Sequence, residues 1–206
     1  MNEMIWDFWA NKYHRLWVQK HSLGPTRHAV MSLLKSLQIT RSTSLIDLGC
    51  GPGELIYELG KEYGKINAVG IDYSREMLKI SAERNPWARH IYLRAEELVE
   101  IDERFDIAVC THSFPYYKDK MGIAKELHRL LQPGGRLIIA FASGNSIYDR
   151  FILSFVKLTT GRAEYPSHEE FLRLVKPCFE LEEYLVIKER FYMPTISVYQ
   201  LRRIDH

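Results

Sequence analysis

The stretch "LIDLGCGPGE", residues 45–54, decides how the chain is read. An apolar run leads straight into glycines at 49, 51 and 53, alternating with Cys50 and Pro52. Phosphate-binding loops space their glycines differently, as GxGxxG for dinucleotides or GxxxxGK[ST] for nucleoside triphosphates. Neither pattern runs through this segment. Asp47, two residues before the first glycine, would face a bound anion unfavourably. The loop therefore suits a bulky ligand that carries positive charge.

Working outward, residues 44–48 read as a buried strand, and Leu55, Ile56, Leu59 and Tyr63 recur at helical spacing after it. "INAVGID" (66–72) predicts a second strand, and Ser74 is placed to cap a helix near 75–84. "HIYLR" (90–94) and "FDIAVCT" (105–111) are further strands. Ile123, Leu127, Leu130 and Leu131 mark one face of a helix that "PGG" at 133–135 should end, and "RLIIAFA" (136–142) is the most apolar strand. Strands alternating with helices predict an α/β fold with a mostly parallel sheet covered on both faces. "FELEEYLVIKE" (179–189) and "TISVYQLRR" (195–203) break that rhythm and read as an antiparallel pair. Ser146 with Asp149, and Ser167 with Glu170, have capping-box spacing, so two helices are expected between 146 and 176, with Pro177 stopping the second.

At 206 residues and 46% hydrophobic content the chain is expected to form one domain. Its parts are an N-terminal helical lid (1–40), a ligand-binding core (41–142), a helical insertion or lid (143–177) and a C-terminal β pair (178–206). Trp6, Trp9, Tyr13, Leu16 and Trp17 fall on one broad helical stripe. The longest unbroken apolar run, Leu137 to Ala142, is far short of a membrane span, and Glu3, Asp7 and Lys12 interrupt any signal-peptide core. Three scattered cysteines without CxxC spacing indicate neither zinc nor a disulfide framework, so a cytoplasmic location is expected. The net charge of +2 does not suggest nucleic-acid binding. Residues 1–43 are locally basic through Lys12, Arg15, Lys20, Arg27, Lys35 and Arg41, read as a solvated helix face.

Asp47 with its three glycines, Asp72 ending the second strand, "RAEEL" (94–98) and "LLQPGGRL" (130–137) stand in one order. That ordered set resembles the class I S-adenosylmethionine-dependent methyltransferases, in particular the small-molecule group like the ubiquinone and menaquinone biosynthesis enzymes. The resemblance covers roughly residues 45–140. It implies a Rossmann-like seven-stranded sheet with an antiparallel last strand, S-adenosylmethionine as cofactor, and no metal. That cofactor is cationic at sulfonium and ammonium and carries no phosphate, which agrees with the loop and with Asp47. By the resemblance the cofactor would lie on Asp47, Gly49, Cys50, Gly51 and Gly53, with Asp72 accepting from the ribose hydroxyls. Tyr73, Ala95, Glu96, Thr111 and, from the N-terminal segment, Tyr13 complete the expected set.

Two departures leave alternatives open. Arg94 stands where the family has the Asp that reads the adenine amino group, so either Glu96 substitutes, or backbone at Ala95 and Glu96 reads adenine, or the alignment shifts. Ser113-Phe114-Pro115-Tyr116 keeps only one proline and one aromatic of the amino-methyltransferase signature. His112 stands where the family approaches the methyl; a histidine titrating near pH 6.5 would serve as a base, or it packs structurally. Tyr13, Tyr116 and Tyr117 could orient the acceptor. The expected activity is methylation of an O, N or C atom of a small, apolar or aromatic acceptor by a monomer or homodimer, without nucleic acid or stable membrane association. The alternatives are an RNA or protein methyltransferase, a non-catalytic S-adenosylmethionine-binding protein, or an NAD-dependent oxidoreductase, against which the glycine spacing counts.

Overall fold

The computed structural model of the chain describes residues 22–160, 163–190 and 192–205. The Trp-rich stripe of residues 4–17, with Tyr13, lies outside them. In chain order the elements are α1 (Gly24–Ser36), β1 (Ser44–Leu48), α2 (Glu54–Tyr63), β2 (Asn67–Asp72), α3 (Arg75–Arg84) and β3 (Arg89–Tyr92). A 3-10 turn (Ala95–Glu100), β4 (Phe105–Thr111), a second 3-10 turn (Phe114–Tyr116), α4 (Lys120–Leu130) and β5 (Leu131–Ala142) follow. The chain closes with α5 (Ile147–Thr160), α6 (His168–Val175), β6 (Phe179–Ile187) and β7 (Ile196–Arg203).

The seven strands lie in the order β3-β2-β1-β4-β5-β7-β6. The first five are parallel, and β7 runs antiparallel to both β5 and β6. Alternation along the strands splits the core in two. Leu45, Ile107, Val109, Ile138 and Ala140 face one side, against Val30, Leu33 and Leu34 of α1 and Leu55, Ile56 and Leu59 of α2. Ile46, Leu48, Ala108, Cys110 and Ile139 face the other, against Ile123 and Leu127 of α4 and Phe171 and Val175 of α6. Among the described residues, no helix is long and apolar enough to cross a membrane.

Three expectations change here. Gly24–Ser36, expected as part of a lid over 1–40, is a layer of the core, because its Val30, Leu33 and Leu34 are buried against the sheet. Within the expected insertion of 143–177, α6 is likewise core: Phe171 is buried and meets Phe141 edge-on at 5.1 Å. Its capping box forms as expected, as does that of α5, where Asp149 Oδ2 accepts from the Ser146 backbone N–H at 3.1 Å and the Ser146 hydroxyl at 2.7 Å. Asp149 also accepts from the Thr195 N–H at 2.9 Å, so the start of α5 is tied to the strand pair. Third, "PGG" does not separate α4 from its strand. Strand β5 begins at Leu131, paired with Phe105, and the next pair is Ile107 with Arg136. The residues between form a bulge, in which Gly134 takes a left-handed φ of 71°.

Candidate functional site

The chain runs outward to β3 from β1 and back across to β5 from β4, so β1 and β4 flank the point where strand order reverses. In open α/β sheets ligands settle there, outside the carboxyl ends of the strands. A cleft of this protein lies at that place, lined by Asp47, Gly49, Cys50, Gly51, Pro52, Glu54 and Leu55 from the first crossover. Thr111 and His112 line it from the end of β4, and Leu23, Thr26 and Arg27 from the start of α1.

Each loop glycine has φ in the left-handed region, at 77°, 52° and 71° for Gly49, Gly51 and Gly53, which disfavours any side chain. What surrounds them differs. A Cβ on Gly49 would stand 2.6 Å from Ser113 Cβ, and one on Gly53 would stand 2.2 Å from Ser81 Oγ. A Cβ on Gly51 would meet nothing within 4 Å. The outer glycines let the loop pack down on the protein; the middle one faces open space. Backbone N–H groups of Gly49 and Cys50 donate to Ile71 O at 2.8 and 2.9 Å, and Asn85 Nδ2 and Arg84 Nη1 donate to the carbonyls of Gly53 and Pro52. Under the loop, Tyr117 OH donates to Ser113 Oγ, which donates to Leu48 O at 3.0 Å. Tyr117 is thus buried loop support, and burial pushes its phenol up.

Asp72, ending β2, accepts from the Gly51 N–H at 2.9 Å with one oxygen and from the Ser74 N–H at 2.9 Å with the other. One carboxylate holds both the glycine loop and the start of α3. Asp47 is only 1% exposed, and its Oδ1 is buried without a hydrogen-bond partner. Burial, with the nearby Asp72 charge adding to it, raises its pKa to about 7. The same burial and the same two carboxylates push the Cys50 thiol up, so it stays protonated and unreactive.

His112 follows β4 with φ 59°, the only non-glycine positive value among the described residues. Its backbone N–H donates to Ala140 O at 2.7 Å, which holds that turn. The expected titration near pH 6.5 does not hold: burial, and then the Arg27 guanidinium, lower its pKa to about 4. The ring is neutral at physiological pH.

Asp47, Gly49, Cys50, Gly51, Thr111 and His112 are brought together on the cleft, with Gly53 and Asp72 fixing its loop. Tyr73, Ala95 and Glu96 lie outside its lining. Tyr73 and Ala95 are buried and Glu96 is exposed, with Arg94 5.8 Å over the Tyr73 ring. Glu97, not Glu96, caps the turn there, accepting from the Arg94 N–H at 2.9 Å. The cleft also takes residues that no sequence motif marks, among them Thr26 and Arg27. Arg27 does not lie on the expected solvated face: its side chain is 19% exposed and pairs with Glu58 at 2.9 Å. The Gly-Pro start of α1 signals a helix beginning but not which way its first turn points.

A cationic ligand without phosphate fits this cleft. The buried Asp47 oxygen lacks a partner and its charge is disfavoured until a cation neutralises it. Gly51 leaves room for a ligand to lie against backbone.

Residues 46–139 match the family described as a methyltransferase domain. A demethylmenaquinone methyltransferase of Staphylococcus carnosus (strain TM300) is 24% identical over 174 residues, covering 78% of this chain and 70% of that protein. The fold is also that of a Thermotoga maritima S-adenosylmethionine-dependent methyltransferase described as a possible histamine N-methyltransferase. The match has a TM-score of 0.73 at 23% identity, over 98% of this chain and 99% of that one. Magnesium protoporphyrin IX methyltransferase from Synechocystis PCC 6803, solved with S-adenosylhomocysteine bound, has a TM-score of 0.71 at 17% identity, over 87% and 83% of the two chains.

Proposed function

We propose that this chain, a class I S-adenosylmethionine-dependent methyltransferase, methylates an oxygen, nitrogen or carbon atom of a small apolar or aromatic acceptor of the quinol class. The observation that carries the reading is the buried, unpartnered Asp47 oxygen beneath a loop whose middle glycine faces open space. The demethylmenaquinone methyltransferase relative supports the acceptor class. The activity is placed in the cytoplasm, in a monomer or homodimer.

Asp47 would hold the cofactor's ammonium end and Arg27 its carboxylate, both residues lining the cleft. The Gly49–Gly53 backbone accommodates the methionine chain. Asp72, held in place by bonds from the Gly51 and Ser74 backbone, would meet the ribose hydroxyls. Tyr73, Ala95 and Glu96 would hold the nucleoside end, and Thr111 and His112 would stand on the side of the methyl. When bound, the sulfonium supplies an activated methyl whose leaving group departs as a neutral thioether. The protein's own task is then alignment and exclusion of water. A neutral His112 with a pKa of about 4 is too weak a base to take the acceptor's proton in the ordinary way, so its contribution is orientation.

Calorimetry with S-adenosylmethionine, S-adenosylhomocysteine and NAD tests the cofactor: the first two bind and NAD does not. Transfer of labelled methyl to a panel of quinols, transfer RNA and peptides tests the acceptor. Label in the macromolecules and none in the quinols would reject the acceptor assignment.

A further inference from the structure

Thr26 lies in the first turn of α1, fully buried, although it lines the cleft. Its hydroxyl donates to Ser22 O at 2.8 Å. A carbonyl can only accept, and a threonine hydroxyl has one proton, so that proton is committed. The same Oγ1 lies 2.9 Å from His112 Nε2. With its proton committed, Oγ1 can only accept there, so Nε2 carries the hydrogen. A neutral imidazole has one bare nitrogen, which is then Nδ1. The neighbouring Arg27, on the same helix turn, and burial both keep the ring from taking a second proton. The left-handed backbone at His112 and its N–H bond to Ala140 O hold the ring's base on the cleft wall. Positive φ at a histidine is a strain that surrounding structure must hold in place, and such strain gathers at functional positions.

We infer that Thr26 is a positioning residue: it fixes His112 as the Nε2–H tautomer, so that Nδ1 offers a hydrogen-bond acceptor to an O–H or N–H on the methyl acceptor. The selection of acceptors rests on the methyltransferase reading above; the tautomer does not. No proton passes to the ring. His112 holds the donor-bearing group and thereby the lone pair that attacks. An acceptor in which that group is replaced by one that cannot donate loses the bond and leaves Nδ1 without a partner.

The test uses the whole chain labelled with ¹⁵N-histidine, without cofactor, in long-range proton–nitrogen correlation spectra. Wild type and Thr26→Ser should show His112 Nε2 protonated and Nδ1 bare, while Thr26→Val should give a mixture or the opposite tautomer. A wild-type spectrum with Nδ1 protonated, or a Val variant identical to wild type, would overturn the inference. The second arm compares turnover of a donor-bearing acceptor with that of its donor-blocked analogue. Thr26→Val should lower kcat for the former by roughly 2- to 10-fold, the worth of one ordinary hydrogen bond. KM for S-adenosylmethionine should be unchanged, the analogue unaffected, and Thr26→Ser should restore the rate. Equal loss on both acceptors would reject the selection role even if the tautomer is as assigned. Absence of transfer to any acceptor by wild type would reject the methyltransferase reading and the selection role with it, leaving the tautomer judged by its spectrum.

Discussion

Asp47→Asn separates the stability of the empty site from its affinity for a cation. The native carboxyl holds its proton until pH of about 7, against 3.8 in the unfolded chain. Between those values the folded state binds the extra proton, so stability falls as pH rises through the window and this contribution is gone above it. A difference of about 3 pKa units corresponds to ~4 kcal/mol. The Asn variant has no such titration. Its new amide N–H₂ can cost ~1–3 kcal/mol if it finds no acceptor, which shifts its stability by a constant amount at every pH. The readout is therefore the pH dependence of the difference, free of that offset. Urea unfolding of ligand-free wild type and variant at pH 4.5, 6, 7 and 8 should show the variant gaining on wild type by roughly 2–4 kcal/mol over the range, with the gain flattening above pH 7. S-adenosylmethionine should bind wild type with proton release near neutrality, seen as a buffer-dependent enthalpy, and bind the variant at least ~10-fold more weakly. Parallel stability profiles for the two proteins would refute the claim that Asp47 is a buried charge awaiting a partner.

Asp72→Ala removes the clamp on the Gly51 N–H together with the proposed ribose acceptor, so cofactor affinity by calorimetry should fall ~10-fold or more, while NAD still fails to bind. Gly51→Val should leave a folded protein, weakened by ~1–2 kcal/mol for left-handed backbone, that no longer binds cofactor. Gly53→Ala, which strikes Ser81 and Asn85, should instead lower the melting temperature sharply. For His112, whose neutral form persists down to a pH of about 4, histidine NMR titration should show no midpoint near 6.5, and turnover between pH 5.5 and 9 should carry no limb from it. Asp149→Ala should destabilise by ~1–3 kcal/mol and raise hydrogen exchange at residues 146–153, since the buried carboxylate joins the α5 cap to Thr195.

Much of this architecture was legible because burial writes a period into the chain. The strands at 44–48 and 105–111 and the helix capped by Ser74 stand where the apolar spacing and the cap residue put them. The glycine loop was readable for a different reason, since few environments need three alternating left-handed residues. Direction was harder. The stripe Val30, Leu33, Leu34 reveals that a helix has an apolar face but not whether that face meets the sheet or spans a cleft, so a core helix looked like a lid. Arg27 shows the same limit, because the charge of a side chain does not reveal what surrounds its end. The basicity of His112 was illegible in principle: it depends on a guanidinium 85 positions earlier in the chain and on burial, neither of which leaves a local mark. The bulge after α4 was hidden because Pro-Gly-Gly signals a break, and here the break is taken within β5.

The placement of β7 bears on how the protein can be made. That strand is synthesised after β6, yet it lies inside β6, hydrogen-bonded to β5 on one flank and to β6 on the other. Until residues 196–203 leave the ribosome, β5 ends the growing sheet with an open row of backbone groups, and β6 has nothing in this sheet to pair with. The nascent chain can assemble β1 to β5 and the cleft between β1 and β4 early, but it carries a sticky edge while it waits. Chaperone capture during synthesis is then expected to concentrate on the interval between the emergence of β5 and that of β7, and a ribosome stalled before residue 196 would present a partly formed cofactor cleft on a sheet still prone to pair with its neighbours.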